Sequence, residues 1–299
     1  MNENLNRRDF LKVVGTCTAA GITAASCAEH YIEAPPPVQK WQMRLSTSSI
    51  HFMQLPIEQA CEQISALGFE AIDIWSAHNG CPHLDDVAER LGPDGLKKLL
   101  AEHSLKLFSF SVYKGGYERY AELLGKTGGG VAVRGSAPPC KPEELTTRMQ
   151  KFIEELKPLT ELAAQYNSYL AIENHVGALL CTPDSLKAFV DMNTSPRLGI
   201  ALAPYHIQAL KSSVPEAISI CGKQLFYFYA WQNYPDSRQL PGIGPTYMVP
   251  WIQALADIQY KGYVNPFMPD HPEADVMSAN LAKSRDYLNE CFKRISTKT

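Results

Sequence analysis

The sequence has little of what nucleic-acid binding, membrane spanning or phosphate binding requires. Basic and acidic side chains nearly balance, at 28 Lys and Arg against 31 Asp and Glu, and no basic run occurs beyond the N-terminus. The sequence therefore lacks the cluster of basic side chains that would bind a nucleic-acid backbone. No apolar run is long enough to span a bilayer. A dinucleotide GxGxxG motif and a P-loop are also absent, and Gly128-Gly129-Gly130 is more typical of a flexible turn than of a phosphate site.

The N-terminus carries the pattern of an export signal. Two adjacent arginines in Asn6-Arg7-Arg8-Asp9-Phe10-Leu11-Lys12 precede a mildly apolar run from Val13 to Ala25, which is typical of a twin-arginine (Tat) signal. The small residues that end at Cys27 resemble a lipoprotein processing box. We therefore predict that residues 1–27 are a signal and that the protein is exported. It is expected to be periplasmic or a lipoprotein, and a lipid at Cys27 would be its only link to the membrane.

A spacer and one large domain follow the signal. Ala34-Pro35-Pro36-Pro37 disfavours helix and favours an extended chain, so residues 28–42 are predicted to be a proline-rich linker. Residues 43–299 are about the length of one complete α/β barrel. Beyond Cys27 the cysteines show no CxxC or zinc-knuckle spacing, and most are predicted to be buried small hydrophobes. They are Cys61, Cys81, Cys140, Cys181, Cys221 and Cys291.

Short apolar segments rich in β-branched and aromatic residues alternate with segments of helical spacing. The predicted strands are Met43 to Ile50, Ala71 to Trp75, Leu105 to Val112, Val131 to Val133, Tyr169 to Ile172, Leu198 to Leu202, Leu225 to Ala230 and Tyr263 to Phe267. The predicted helices are Ile57 to Leu67, Pro93 to His103, Tyr117 to Leu124, Pro142 to Tyr166, Pro183 to Asp191, Pro215 to Cys221, Val249 to Ile258 and Met277 to Phe292. Eight of each predict a (β/α)8 TIM barrel, an α/β fold. An open doubly wound sheet is the alternative, but it would need a glycine-rich phosphate turn that is missing.

Polar and aromatic side chains follow the predicted strands at their carboxyl ends, where the active sites of such barrels lie. Five of the eight histidines fall at these strand ends, and a shared site explains several converging histidines better than separate structural roles do. These histidines are His51, His78, His175, His206 and His271. The ends of the fourth and fifth strands add Arg134 and Glu173.

Several motifs resemble those of the xylose isomerase-like barrels. They are Gly68-Phe69-Glu70-Ala71-Ile72-Asp73-Ile74-Trp75, Leu170-Ala171-Ile172-Glu173-Asn174-His175, Leu198-Gly199-Ile200-Ala201-Leu202 and Gly242-Ile243-Gly244. This superfamily includes sugar isomerases and epimerases, inosose dehydratase and an AP-endonuclease branch. The resemblance implies a divalent metal such as Mn²⁺, Mg²⁺, Co²⁺ or Zn²⁺ that polarises oxygens of a sugar while carboxylates move a proton between neighbouring carbons.

The ligand set that the resemblance implies is largely replaced here. It consists of Glu, Asp, His and Glu from the last four strands, and only Glu173 matches. Ala203, Tyr229 and Phe267 stand at the other three positions, while His206 matches a histidine that follows the family's Asp. Ala and Phe cannot coordinate a cation, so a metal is expected either at a rebuilt site of Glu173, His175 and His206 or not at all.

Three hypotheses follow. In the first, the chain is an exported isomerase, epimerase or related lyase that removes a proton next to a carbonyl of a sugar or keto-sugar, with Glu173, His206, His271 and Arg134 as catalytic residues. In the second, it is a non-catalytic sugar-binding protein on the same barrel. The third, an endonuclease, is disfavoured because a basic face and several metal ligands are missing. The candidate substrate-binding residues are His51, Trp75, His78, His175, Tyr205, Tyr229, Trp231 and Gln232.

Overall fold

Eight short parallel strands follow one another around a barrel in the order in which they occur in the chain. The computed structural model describes residues 40–76 and 80–296, so the predicted signal and most of the predicted linker lie outside the described residues. Leu45 pairs with Val264, which joins the two ends of the sheet and closes the barrel. The strands are β1 Ser46–Ser48, β2 Ala71–Ser76, β3 Lys106–Val112, β4 Val131–Gly135, β5 Tyr169–Glu173, β6 Leu198–Leu202, β7 Leu225–Ala230 and β8 Val264–Pro266. The predicted TIM barrel is confirmed.

Helices surround the strands and bury their apolar faces against the outer side of the sheet. They are α1 Ile57–Ala66, α2 His83–Asp86, α3 Gly92–Glu102, α4 Tyr117–Lys126, α5 Leu145–Glu155, α6 Lys157–Gln165, α7 Pro183–Met192, α8 Pro204–Ala209, α9 Val214–Cys221, α10 Val249–Asp257 and α11 Ala274–Ser296. A π-helical turn, Val87–Leu91, connects α2 to α3. Gly68 follows α1 with a φ of 79°, the left-handed conformation that the predicted helix end requires.

The helical layer differs from the sequence prediction in a break at Leu156 and in the short helices α2 and α8. The single helix predicted from Pro142 to Tyr166 is wrong, because the chain forms α5 and α6 with a break at Leu156. Pro158 lies in the first turn of α6, where its missing N–H costs nothing, whereas inside one continuous helix it would remove a hydrogen bond. The short helix α8 was not predicted either, and it matters because it carries His206 directly after β6.

The inner face of β6 is lined by small residues, and the neighbouring strand fills the space. Ala201 lies opposite Tyr227 in the register of β6 and β7. A Cβ added to Gly199 would lie 2.5 Å from the ring of Phe226, so only glycine fits there. The aromatic side chains of β7 therefore occupy the barrel interior next to β6.

A register shift between β2 and β3 places extra side chains in the barrel interior. Ile72 pairs with Leu107 and Asp73 with Ser109, so Phe108 is the additional residue of β3. Phe108 stacks on Tyr227 inside the barrel, at 4.9 Å between ring centroids, while the adjacent Ser109 hydroxyl donates to Asp73. Two consecutive residues of one strand thus face inward, which a regular strand does not allow.

The described part of the chain has no disulfide bond and no helix that could cross a membrane. All six cysteines between residues 61 and 291 are free, and five of them are buried, as the sequence predicts. In the described ranges, each helix is either too short or too polar to cross a membrane.

Candidate functional site

Glu173 is a buried carboxyl group at the carboxyl end of β5. Its side chain is 9% exposed and accepts a hydrogen bond of 2.8 Å from the Tyr113 hydroxyl. The Tyr113 hydroxyl is in turn 3.0 Å from the hydroxyl of Tyr229 on β7. Burial raises the pKa of Glu173 to about 7, although Tyr113 and His175 favour its charged form. A carboxyl group that exchanges its proton near neutral pH has the property of a general base.

Two histidines lie against each other near this carboxyl group. The ring of His175, which follows β5, is 4.0 Å from the ring of His206 on α8, measured between centroids. His206 is 4% exposed, and neither of its ring nitrogens has a hydrogen-bond partner among the described residues. Burial lowers the pKa of His206 to about 3, so the ring is neutral and carries one N–H. A buried ring without a partner is costly to the fold and suits contact with a ligand.

Five aromatic residues, Trp75, Tyr113, Tyr229, Trp231 and Phe267, form what we call the aromatic floor. Phe267 lies at its centre, stacked on Trp75 at 5.2 Å and close to Tyr229 at 5.0 Å and to Trp231 at 5.2 Å. Tyr205 extends the floor by stacking on Trp231 at 4.3 Å with nearly parallel rings. Flat apolar faces of this kind suit the apolar face of a sugar ring.

Two of the predicted substrate-binding residues use both of their polar side-chain atoms in hydrogen bonds within the protein. The imidazole of His51 shares a hydrogen bond with Thr47 and accepts one from the Met268 N–H. The amide of Gln232 donates to the Leu240 carbonyl and accepts from the Thr246 N–H, both at 2.8 Å. Both side chains are fully buried. Their contacts fix the segments after β7 and β8 and do not point to a ligand.

Two other predicted site residues, Arg134 and His271, make no described contact with Glu173. Arg134 is followed by Gly135, which pairs with Glu173, but strand alternation places Arg134 on the outward side with Ala132. His271 lies next to His51, and burial lowers its pKa. His78 lies outside the described residues. The structure thus brings together Glu173, His175, His206, Tyr229 and Trp75 but separates them from Arg134.

Sequence reasoning missed Asp73, a fully buried carboxyl group on β2 below the aromatic floor. Several hydroxyl groups donate to it, and burial raises its pKa to about 6. The sequence feature that could have pointed to it is an acidic residue in the middle of the otherwise apolar strand Ala71–Ser76. The two neighbouring strands, β1 and β3, carry serines at alternate positions. Attention to strand ends alone cannot find a polar group at the middle of a strand.

The family assignment rests on a sequence match over most of the barrel. A family model described as a xylose isomerase-like TIM barrel matches residues 61–291. The chain belongs to this family. No curated protein sequence matches it significantly.

Solved structures of low sequence identity share the fold of this family member. 3-Keto-D-glucoside 4-epimerase YcjR from E. coli, in its apo form, is 17% identical over 82% of this chain and 100% of that chain, with a TM-score of 0.63. The probable 3-DHS dehydratase AsbF from Bacillus anthracis is 16% identical over 80% of this chain and 97% of that chain, with a TM-score of 0.64. The IOLI protein, solved with a binding zinc atom, is 15% identical over 84% and 99%, with a TM-score of 0.65. At these identities the likeness shows the fold alone.

The side chains of this family member do not form a set that fits a divalent cation. The four positions expected for metal ligands hold Glu173, Ala203, Tyr229 and Phe267, and the last three share one inward-facing cluster. Burial holds the pKa of the Tyr229 hydroxyl well above its ordinary value, so Tyr229 is a neutral phenol. Within residues 40–76 and 80–296, no three His, Cys, Asp or Glu side chains come together as a metal site. Only Glu173 has the chemistry of a ligand there.

Proposed function

We propose that this protein is a sugar-active enzyme of the isomerase or epimerase type, or a related lyase, in which Glu173 removes a proton next to a carbonyl group. The observation that carries the proposal is the buried position of Glu173, with a pKa raised to about 7, at the carboxyl end of the barrel. Structures of the same fold are described as a 3-keto-D-glucoside 4-epimerase, a D-psicose 3-epimerase and a probable dehydratase, which supports a sugar or a related polyol as substrate.

The proposed chemistry starts with a proton transfer that all three reaction types share. The Glu173 carboxylate takes the proton from the carbon next to the carbonyl, and the electron pair of that C–H bond moves to the carbonyl oxygen to give an enolate. The neutral His206 ring then donates its N–H to that oxygen. Protonation of the same carbon on its opposite face gives the epimer. Protonation of the former carbonyl carbon, while the hydroxyl group next to it gives up its proton and becomes the new carbonyl, gives the isomer, and loss of a β-hydroxyl group with a proton, as water, gives elimination.

The surrounding side chains support this role for Glu173. Tyr113 donates to one carboxylate oxygen and so fixes the direction of the other. The aromatic floor and the Tyr205–Trp231 stack supply the apolar faces against which a sugar ring packs. Because the ligand positions do not fit a metal ion, no step is assigned to one.

We also propose that the enzyme is exported and meets its sugar outside the cytoplasm. Arg7-Arg8 and the apolar run up to Ala25 support export, and the small residues before Cys27 support a lipid anchor there. An exported sugar-active enzyme would act on glycans or on their oxidised breakdown products.

Solvent exchange tests the proton transfer without knowledge of the final product. The purified protein is incubated in D₂O with D-fructose, D-tagatose and 3-keto-D-glucose, and deuterium next to the carbonyl is followed by NMR. We expect exchange with at least one of these sugars, and Glu173→Gln should reduce it by roughly 10²-fold or more, the scale of a lost general base. Glu161→Gln, an exposed residue on α6, is the matched control and should exchange at the parent rate.

Two outcomes contradict the proposal in different ways. Exchange that persists in Glu173→Gln would show that another group is the base. Sugar binding by calorimetry without any exchange in the parent protein would favour the second candidate, a non-catalytic sugar-binding protein. The specific observation behind that candidate is the replacement of three expected metal-ligand positions by Ala203, Tyr229 and Phe267.

A further inference from the structure

Asp73 accepts an unusual number of hydrogen bonds at the centre of the barrel. Its carboxyl group is fully buried on β2 and lies directly below the aromatic floor. The donors are Ser48 at 2.9 Å, Ser109 at 2.8 Å, Ser111 at 3.0 Å, Tyr227 at 3.0 Å and the indole N–H of Trp75. These five donors come from β1, β2, β3 and β7, so the group ties opposite sides of the barrel to one point.

The fold alone does not require a carboxyl group at this place. Barrel interiors are normally filled by branched apolar side chains, which pack without a desolvation cost. Asp73 forms no ion pair with a cationic side chain of the described residues. A buried carboxyl group with neutral donors alone is expensive, and burial raises its pKa to about 6. The role of Asp73 therefore lies in the groups that donate to it.

Trp75 is one of the donors that connect Asp73 with the candidate active site. Trp75 donates its indole N–H to Asp73, and its ring stacks on Phe267 with an angle of 14° between the planes. The same ring lies 5.0 Å from the ring of Tyr113, whose hydroxyl donates to Glu173. Tyr227 also reaches the site, since its ring lies 4.4 Å from the ring of Tyr229, whereas Ser48 and Ser109 make no described contact with it.

A ring that packs through its faces alone can slide and turn in its plane. The hydrogen bond to Asp73 removes that freedom, because the indole has a single polar hydrogen and its acceptor is fixed by four further donors. Trp75 in turn limits the tilt of Tyr113, and Tyr113 limits the direction of the Glu173 carboxylate. Small displacements at such a position are costly to catalysis.

We propose that Asp73 is a positioning residue, which fixes the Trp75 indole and through it the Tyr113–Glu173 pair that removes the substrate proton. The proposal rests on the proposed function for its catalytic consequence. Its structural part, the orientation of Trp75 by Asp73, holds independently of which sugar is bound.

The test is a double-mutant cycle with a matched control. Asp73→Asn replaces an acceptor oxygen by an NH₂ group, and Trp75→Phe removes the indole N–H but keeps an aromatic face. Each is expected to lower kcat/KM for deuterium exchange into the most reactive of the three keto-sugars by about tenfold, and the double variant by no more than either single variant. Ser48→Ala removes a different donor to Asp73 and should leave kcat/KM within about twofold of the parent value.

A second readout needs no substrate. The near-UV circular dichroism of Trp75 is obtained as the difference between the parent protein and Trp75→Phe, since the chain has 4 tryptophans. This band should be lost in Asp73→Asn and kept in Ser48→Ala, because an ordered indole requires its acceptor. If the parent protein exchanges no sugar proton, the proposed function fails while this band still decides the positioning role.

Three results would overturn the inference. A band that persists in folded Asp73→Asn would show that Asp73 does not orient the indole. Losses that multiply to about a hundredfold in the double variant would show independent, merely structural contributions. If Asp73→Asn does not fold, equal kcat/KM in Trp75→Phe and Ser48→Ala would show that the indole N–H has no special role.

Discussion

Replacing Glu173 by glutamine is expected to change how the stability of the barrel depends on pH. Burial raises the pKa of this carboxyl group from an ordinary value of 4.5 to about 7, so the native state holds the proton over a pH range in which the unfolded chain releases it. The protonated Glu173 therefore contributes its full stabilisation of the folded state below pH 4.5, and this contribution is lost as the pH rises towards 7. The difference between the two pKa values corresponds to ~3 kcal/mol. Glutamine keeps an acceptor for Tyr113 but does not titrate.

The assay is urea unfolding of the parent protein and of Glu173→Gln at several pH values between 4 and 8. Asp73, whose pKa is also raised, contributes a loss of stability with rising pH, and the lowered pKa values of His51 and His206 contribute a gain. These contributions occur in both proteins, so the difference between the two unfolding free energies isolates Glu173. That difference should shift by ~3 kcal/mol in favour of the glutamine variant between pH 4.5 and pH 7.5. Parallel curves would refute the buried, raised-pKa description of Glu173.

Two further predictions concern the replaced ligand position and the N-terminus. Ala203→Asp restores a carboxylate at a fully buried position of the same inward-facing cluster, and the added charge should raise the pKa of Glu173 further and abolish both sugar binding and exchange. Calorimetric titration with the three keto-sugars and with Mn²⁺ measures this, and unchanged sugar affinity would show that the ligand binds elsewhere. Changing Arg7 and Arg8 together to lysine should leave the precursor in the cytoplasm, because the receptor reads paired guanidinium groups. Fractionation followed by immunoblotting checks this, and normal export of the double variant would contradict the twin-arginine interpretation.

The barrel could be predicted because its signal repeats along the chain. Eight apolar strand segments each precede a helical segment, and all eight strands occur within or close to the predicted bounds. The break at Leu156 could not be placed, since Pro158 is compatible with the first turn of a new helix as well as with a kink. Helix α8 was missed because Pro204–Ala209 is too short for helical periodicity to show.

The site could be located from the sequence but not resolved into roles. Strand ends and the family resemblance both point to Glu173, and the structure places His175 and His206 beside each other. His51 and Gln232 also lie at strand ends, yet their polar atoms bond within the protein. A sequence shows which side chains approach the mouth of a barrel, but it does not show which of their donors and acceptors are already satisfied.

The residues at the three replaced ligand positions, Ala203, Tyr229 and Phe267, pack together in one cluster. Ala203, directly after β6, is small and uncharged and packs in one cluster with aromatic side chains of β7, among them Tyr229. Tyr229 and Tyr113 then provide neutral hydroxyl groups beside Glu173, and Phe267 packs against Tyr229 and Trp75. A carboxylate that meets neutral donors and aromatic rings, in place of a cation, keeps a high proton affinity because little nearby positive charge stabilises its anion. Burial beside these neutral side chains raises the pKa of the remaining carboxyl group to about 7, which is the property that the proposed proton transfer requires.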